Sequence, residues 1–179
     1  MKTVIATLLT VGVIGLGIGA YLFFGGYDVA ATVPHWGVVA WVLDGTMDHS
    51  VEAHSEGLKA PDLKGQSMIR EGAQEYHEMC ETCHGGPGAE ASPIGKGLYP
   101  HPPNLIESAR EMSASEIFWV TKHGIKMTGM PSFGKTHADA ELWKIVAFVA
   151  DLPVLSTGDY RSMLQPAHES EPQQAPTSE

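Results

Sequence analysis

The chain has 179 residues, of which 43% are hydrophobic, and a formal net charge of -10 at pH 7. This length is enough for one compact domain with attached segments. Its acidity excludes nucleic acid as a partner, because binding a phosphate backbone needs a basic surface. The charge suits either a basic protein partner or simply a well-solvated surface.

The first element in chain order is an uncharged run from Val4 to Phe24, preceded by Lys2. At about 1.5 Å per residue, a helix of this length spans about 31 Å, close to the thickness of a bilayer's hydrocarbon core. We therefore expect residues 1–26 to be an N-terminal transmembrane anchor, with the N-terminus inside. The alternative is a cleaved signal peptide ending near Val29-Ala30-Ala31, although the run is longer than usual for one.

Residues 27–64 are expected to form an amphipathic helix followed by a linker. Apolar residues recur there at helical spacing, at Trp36, Val39, Ala40, Leu43 and Met47. The uncharged stretch from Gly37 to Leu43 is too short to cross a bilayer, but its tryptophan suits a membrane interface. Two interpretations stay open: the helix docks on a membrane or partner, or it packs on the domain that follows.

Cys80-Glu81-Thr82-Cys83-His84 is the motif with the most specific chemistry. A C-x-x-C-H run indicates covalent attachment of a c-type haem. The two thiols form thioethers to the two vinyl groups, and the adjacent imidazole of His84 becomes an axial iron ligand. The motif uses both cysteines of the chain. It predicts one covalent haem c.

Two other uses of a cysteine pair fit the sequence less well. A redox-active dithiol is expected in a βαβ context, and no strand pattern surrounds residue 80. A structural zinc site needs two further ligands at suitable spacing, and the chain has no second cysteine pair.

A second iron ligand is predicted in the glycine- and proline-rich segment from Gly124 to Gly134. A methionine thioether there would complete a His/Met iron and raise its reduction potential. Met127 and Met130 both compete for this role. Met130 is favoured because Gly129 and Pro131 flank it and restrict its backbone. His101 is the alternative that would give a bis-histidine iron.

Three motifs stand in the order typical of class I c-type cytochromes: C-E-T-C-H, P-P-N-L at 102–105 and G-M-P-S-F at 129–133. Over residues 65–153 the chain resembles the membrane-anchored monohaem members of bacterial electron-transport systems. The resemblance implies an all-α haem domain, with the carbonyl of Pro103 bound to His84 and Leu105 packed on the haem. Pro102 remains possible for the carbonyl contact. Trp119 and Pro131 are further candidates for the haem surroundings.

Three or four helices are predicted in this domain, and three of them can be placed on the sequence. The first, from about Ile69 to Thr82, delivers the cysteines; the second follows the capping box Ser113–Glu116 and ends near His123; the last spans about Asp139–Asp151. The resemblance implies that the first and last cross closely, with Gly72 against Phe148. Residues 154–179 are expected to be an extended or disordered tail, rich in Pro, Gln, Ser and Glu from Gln165.

An iron with both axial positions occupied favours outer-sphere electron transfer over catalysis, so we expect an electron carrier and not an enzyme. The partners would be a membrane complex or dehydrogenase and a downstream acceptor. The resemblance implies a bacterial inner membrane location, with the haem domain in the periplasm. Two alternatives remain: a fixed subunit of a larger respiratory or photosynthetic complex, and a haem enzyme or gas sensor with a displaceable methionine.

Overall fold

The structure, a computed structural model, describes residues 1–165 and is all-helical there, apart from one isolated bridge between Gly86 and Ala89. The all-α fold class is therefore confirmed. In chain order the α-helices are α1 (Lys2–Phe23), α2 (Gly37–Ser55), α3 (Gln66–Met79), α4 (Glu81–His84), α5 (Pro93–Lys96), α6 (Leu105–Glu111), α7 (Ala114–His123), α8 (Asp139–Asp151) and α9 (Thr157–Leu164). Short 3₁₀ turns occupy Phe133–Lys135 and Leu152–Val154.

The chain divides into two compact units, Met1–His35 and Trp36 onward. In the first unit, α1 is 22 residues long, has no buried residue and is apolar enough to cross a membrane. Its two threonines beyond the first turn, Thr7 and Thr10, each donate to the carbonyl four residues earlier at 3.0 Å. Polar hydrogens that would be costly in lipid are thus satisfied within the helix.

The core of the second unit forms where α3 crosses α8. Leu142, Val146 and Phe148 are fully buried on α8, and Ala73 and Tyr76 face them from α3. The crossing is close at Gly72, where an added Cβ would lie 1.9 Å from the carbonyl oxygen of Lys144 and 3.1 Å from Phe148 Cβ. A glycine is required because any side chain would push the helices apart.

The ends of α7 and α8 follow their sequence signals. Ser113 Oγ accepts from Glu116 N at 3.3 Å, and Glu116 Oε2 accepts from Ser113 N at 2.7 Å, so the predicted capping box is present. Gly124 ends α7 with φ of 68°, a left-handed value that suits glycine. The predicted bounds of α8 match those observed.

The two ends of helix α2 differ in burial. Its C-terminal part packs on α7: Val51 and Ser55 are buried, and the His54 and Trp119 rings lie 5.6 Å apart. In its N-terminal part, Val38 and Trp41 are 65% and 75% exposed. The packing interpretation therefore holds for the C-terminal part, and docking by the N-terminal part stays a prediction.

The prediction of an extended or disordered tail from residue 154 is wrong for Thr157–Leu164, which form helix α9. Ser156 and Asp159 form a capping box that starts this helix, and Tyr160 is buried in the core. The folded unit thus continues at least to Leu164, beyond the predicted end at Pro153. The rest of the predicted tail, residues 166–179, lies outside the described residues.

Candidate functional site

A single helical turn places the three motif residues together. Helix α3 ends at Met79, and Cys80 O then accepts from Cys83 N at 3.0 Å and from His84 N at 2.9 Å. This turn, α4, is closed by Gly85 with φ of 71°. The buried Tyr76 hydroxyl donates to Gly85 O at 2.6 Å. The attachment turn, residues 80–85, is thereby fixed to α3.

The two thiols differ in their surroundings. Cys80 is buried, and this burial, followed by the nearby Cys83 and Glu75, raises the pKa of its thiol to about 12. Cys83 is half-buried. Helix α5 lies against it, because a Cβ on Gly95 would come within 2.8 Å of Cys83 Cα. Both cysteines are free thiols, as a covalent haem attachment requires.

His84 is held in the tautomer that a metal ligand needs. Its Nδ1 lies 2.9 Å from Pro103 O, and since a carbonyl only accepts, Nδ1 carries the proton. Burial lowers the pKa of His84, while the Pro103 hydrogen bond opposes that shift, and the net lowering favours the neutral ring. Its Nε2 lone pair is left for a metal. The contact is made by Pro103, the residue that the resemblance implies, and Leu105 lines a small cavity together with His84.

The backbone around Met130 is fixed by local hydrogen bonds. Ile125 N donates to Met130 O at 3.2 Å, and Met130 N donates to Thr128 Oγ1 at 3.1 Å. A Cβ on Gly124 would lie 2.7 Å from Met130 O, so the loop also packs tightly against the end of α7. Met127 by contrast is 93% exposed, with φ of 62°. Of the two methionines, only Met130 combines partial burial with a fixed backbone.

The donor set fits a c-type haem. Covalent attachment and His/Met ligation need two thiols on one turn, an imidazole with a free Nε2 and a methionine on a fixed backbone. Cys80, Cys83, His84 and Met130 would hold it. Within residues 1–165, no three His, Cys, Asp or Glu side chains are grouped to hold another metal ion.

Trp119 and Pro131 stay predictions as haem neighbours. Pro131 is exposed. The Trp119 ring is half-buried and lies 5.6 Å from the His54 ring and 5.1 Å from the His123 ring, so its described aromatic neighbours are these histidines. His101 is exposed, with its ring 6.0 Å from that of Tyr99.

Sequence reasoning missed the partners of Glu81. Its carboxylate oxygen Oε2 accepts from the Tyr160 hydroxyl at 3.0 Å and hydrogen-bonds to His77 Nδ1. The His77 contact spans one helical turn and was open to prediction. The Tyr160 contact joins residues 79 positions apart, and no local pattern indicates it.

The domain has the features of a class I c-type cytochrome. Its core is built of helices, its attachment turn carries two free thiols, and its neutral histidine is bound to a proline carbonyl. Residues 67–149 match the family model described as cytochrome C oxidase, cbb3-type, subunit III, and this match supports a class I c-type cytochrome domain of that type over those residues. No curated protein matches the chain.

Proposed function

We propose that the chain is a membrane-tethered, single-haem electron carrier. The observation that supports this most directly is the hydrogen bond of His84 Nδ1 to Pro103 O, and the fixed backbone of the Met130 loop supports it further. When bound, the haem supplies one-electron chemistry between Fe(III) and Fe(II). The chain's own residues keep one imidazole tautomer and one soft thioether donor in place, so little rearrangement accompanies each transfer.

The proposed location is the periplasmic face of a bacterial inner membrane. Helix α1 would anchor the chain with Lys2 inside, and the haem domain would lie on the side where covalent attachment takes place. Electrons would come from a membrane complex or dehydrogenase and leave to a downstream acceptor. Tethering would confine the carrier to the membrane surface, which raises its effective concentration near partners embedded there.

A second candidate is a fixed electron-transfer subunit of a larger membrane complex. Two observations favour it: the matching family model is described as an oxidase subunit, and α2 leaves an apolar face uncovered. That face consists of Val38, Trp41 and Val42, spaced i, i+3 and i+4 on the helix and all exposed.

Ligand replacement tests the carrier proposal. The resemblance implies a weak far-red band from the iron–sulfur bond of the oxidised protein, and no change in the reduced spectrum on adding carbon monoxide. Met130→Ala should abolish the band, lower the reduction potential and admit carbon monoxide. Met127→Ala is the matched control and should change none of these. If the unaltered protein binds carbon monoxide, the gas sensor or enzyme alternative replaces the carrier.

Purification from native membranes in a mild detergent separates carrier from subunit. A carrier should elute alone, whereas a subunit should elute with a stoichiometric partner. If a partner is found and the apolar face of α2 forms the contact, Trp41→Ser should reduce the amount of partner that co-purifies with the chain. Ile94→Ser is the control, because Ile94 is similarly exposed, at 68%, but lies on α5.

A further inference from the structure

Glu81 is a sheltered carboxylate inside the attachment turn. It follows Cys80 directly, and its side chain is only 19% exposed. A Cβ on Gly86 would lie 2.7 Å from Glu81 Oε1, so the carboxylate is confined against the backbone after the motif. A carboxylate this sheltered needs hydrogen-bond donors to replace lost water. Tyr160 and His77 meet that need.

Tyr160 is itself rigidly placed. It is 3% exposed, and its ring lies 5.4 Å from that of Phe148 and 6.4 Å from that of Tyr76. The same aromatic cluster contains Tyr76, whose hydroxyl holds Gly85. Helix α9 therefore brings a fixed hydroxyl to the attachment turn. It does so from outside residues 67–149, the part that matches the family model.

We propose that Tyr160 is a positioning residue for the haem, acting through Glu81, and that this pair sets the reduction potential. This rests on the proposed haem binding. A negative charge close to the iron stabilises Fe(III) more than Fe(II) and so lowers the potential. The Tyr160 hydroxyl disperses the Glu81 charge and keeps the carboxylate in one position. Helix α9, which lies beyond the matched residues 67–149, is in this way a tuning element of the haem domain.

The test is a double-mutant cycle on the haem-loaded full chain, with potentials measured by spectroelectrochemistry. Tyr160→Phe removes one oxygen and keeps the ring stack; it should lower the potential with no loss of covalent haem. Glu81→Gln removes the charge and should raise the potential. In the Glu81→Gln background, Tyr160→Phe should have little further effect, because the coupling runs through the carboxylate.

Ser162→Ala is the control on the same helix, since the Ser162 hydroxyl donates to Asp159 O within α9 and has no other hydrogen bond within residues 1–165. It should leave the potential unchanged. An unchanged potential in Tyr160→Phe, or an equal shift in both backgrounds, overturns this inference and leaves the carrier function intact. An unaltered chain that takes up no covalent haem refutes the proposed function itself.

Discussion

At the scale of single residues, the sharpest constraint is the contact of Gly72 with α8. A methyl group there would lie 1.9 Å from Lys144 O, a backbone atom that cannot move without shifting α8. Gly72→Ala should lower the free energy of unfolding by about 2 kcal/mol, because overpacking outweighs the gain in helix propensity. Chemical denaturation of the haem-loaded protein measures this.

Gly45→Ala is the matched control for that substitution. Gly45 also lies inside a helix, but within the described part of the chain no atom outside its own helical turn would come within 4 Å of its Cβ. The exchange should therefore be neutral or stabilise by up to about 1 kcal/mol. Equal stability of the two variants would mean that α3 and α8 do not approach as closely as described.

At the scale of whole elements, α9 depends on its first residue. Ser156 Oγ accepts from Asp159 N at 3.1 Å, and Asp159 Oδ2 accepts from Ser156 N at 3.3 Å. Ser156→Ala should lower the free energy of unfolding by about 1 kcal/mol and speed hydrogen exchange across Thr157–Leu164. Ser162→Ala, within the same helix, should cost less than about 0.5 kcal/mol, as exposed substitutions do. Similar exchange rates in the two variants would argue against the cap.

Local signals explain which elements could be predicted from the sequence. Helix α7 was predictable because a capping box and a glycine stop mark its two ends. Helix α8 was predictable because a stripe of apolar residues ends shortly before Pro153. The haem motif was recognisable from its five residues alone, but the helix predicted to run to Thr82 ends at Met79, and a separate turn carries the motif. Helix α9 has the same kind of cap, but it is eight residues long, contains Gly158 and adjoins a polar segment. These features are typical of a loop as long as the surface on which α9 packs is not known.

Contacts between distant segments could not be predicted from the residues alone. The choice of Pro103 over Pro102 depends on the path of the chain from Pro87 to Pro102, where no periodicity fixes the register. The contact of Tyr160 with Glu81 depends on how α9 returns to the core. The division of α2 into a packed and an exposed part likewise becomes visible only once α7 is in place.

At the scale of the whole molecule, the question is whether α1 is retained as a membrane anchor for the haem domain or is cleaved. Its side chains are exposed along the entire helix, and no charge occurs between Lys2 and Asp28. If α1 is an anchor, the mature protein should retain it, and alkaline carbonate should leave the chain in the membrane. Mass spectrometry of the native protein gives the first measurement. A mature N-terminus near Ala31 would instead establish a cleaved signal peptide.

A charge in the middle of α1 provides the second measurement. Val13→Arg should cost about 3 kcal/mol of insertion free energy, because arginine is unfavourable at the centre of a bilayer. The carbonate-resistant fraction should therefore fall. Val29→Arg is the control, since Val29 is exposed and follows the helix; that variant should stay fully membrane-bound. Equal retention of both variants would mean that something other than α1 holds the protein to the membrane.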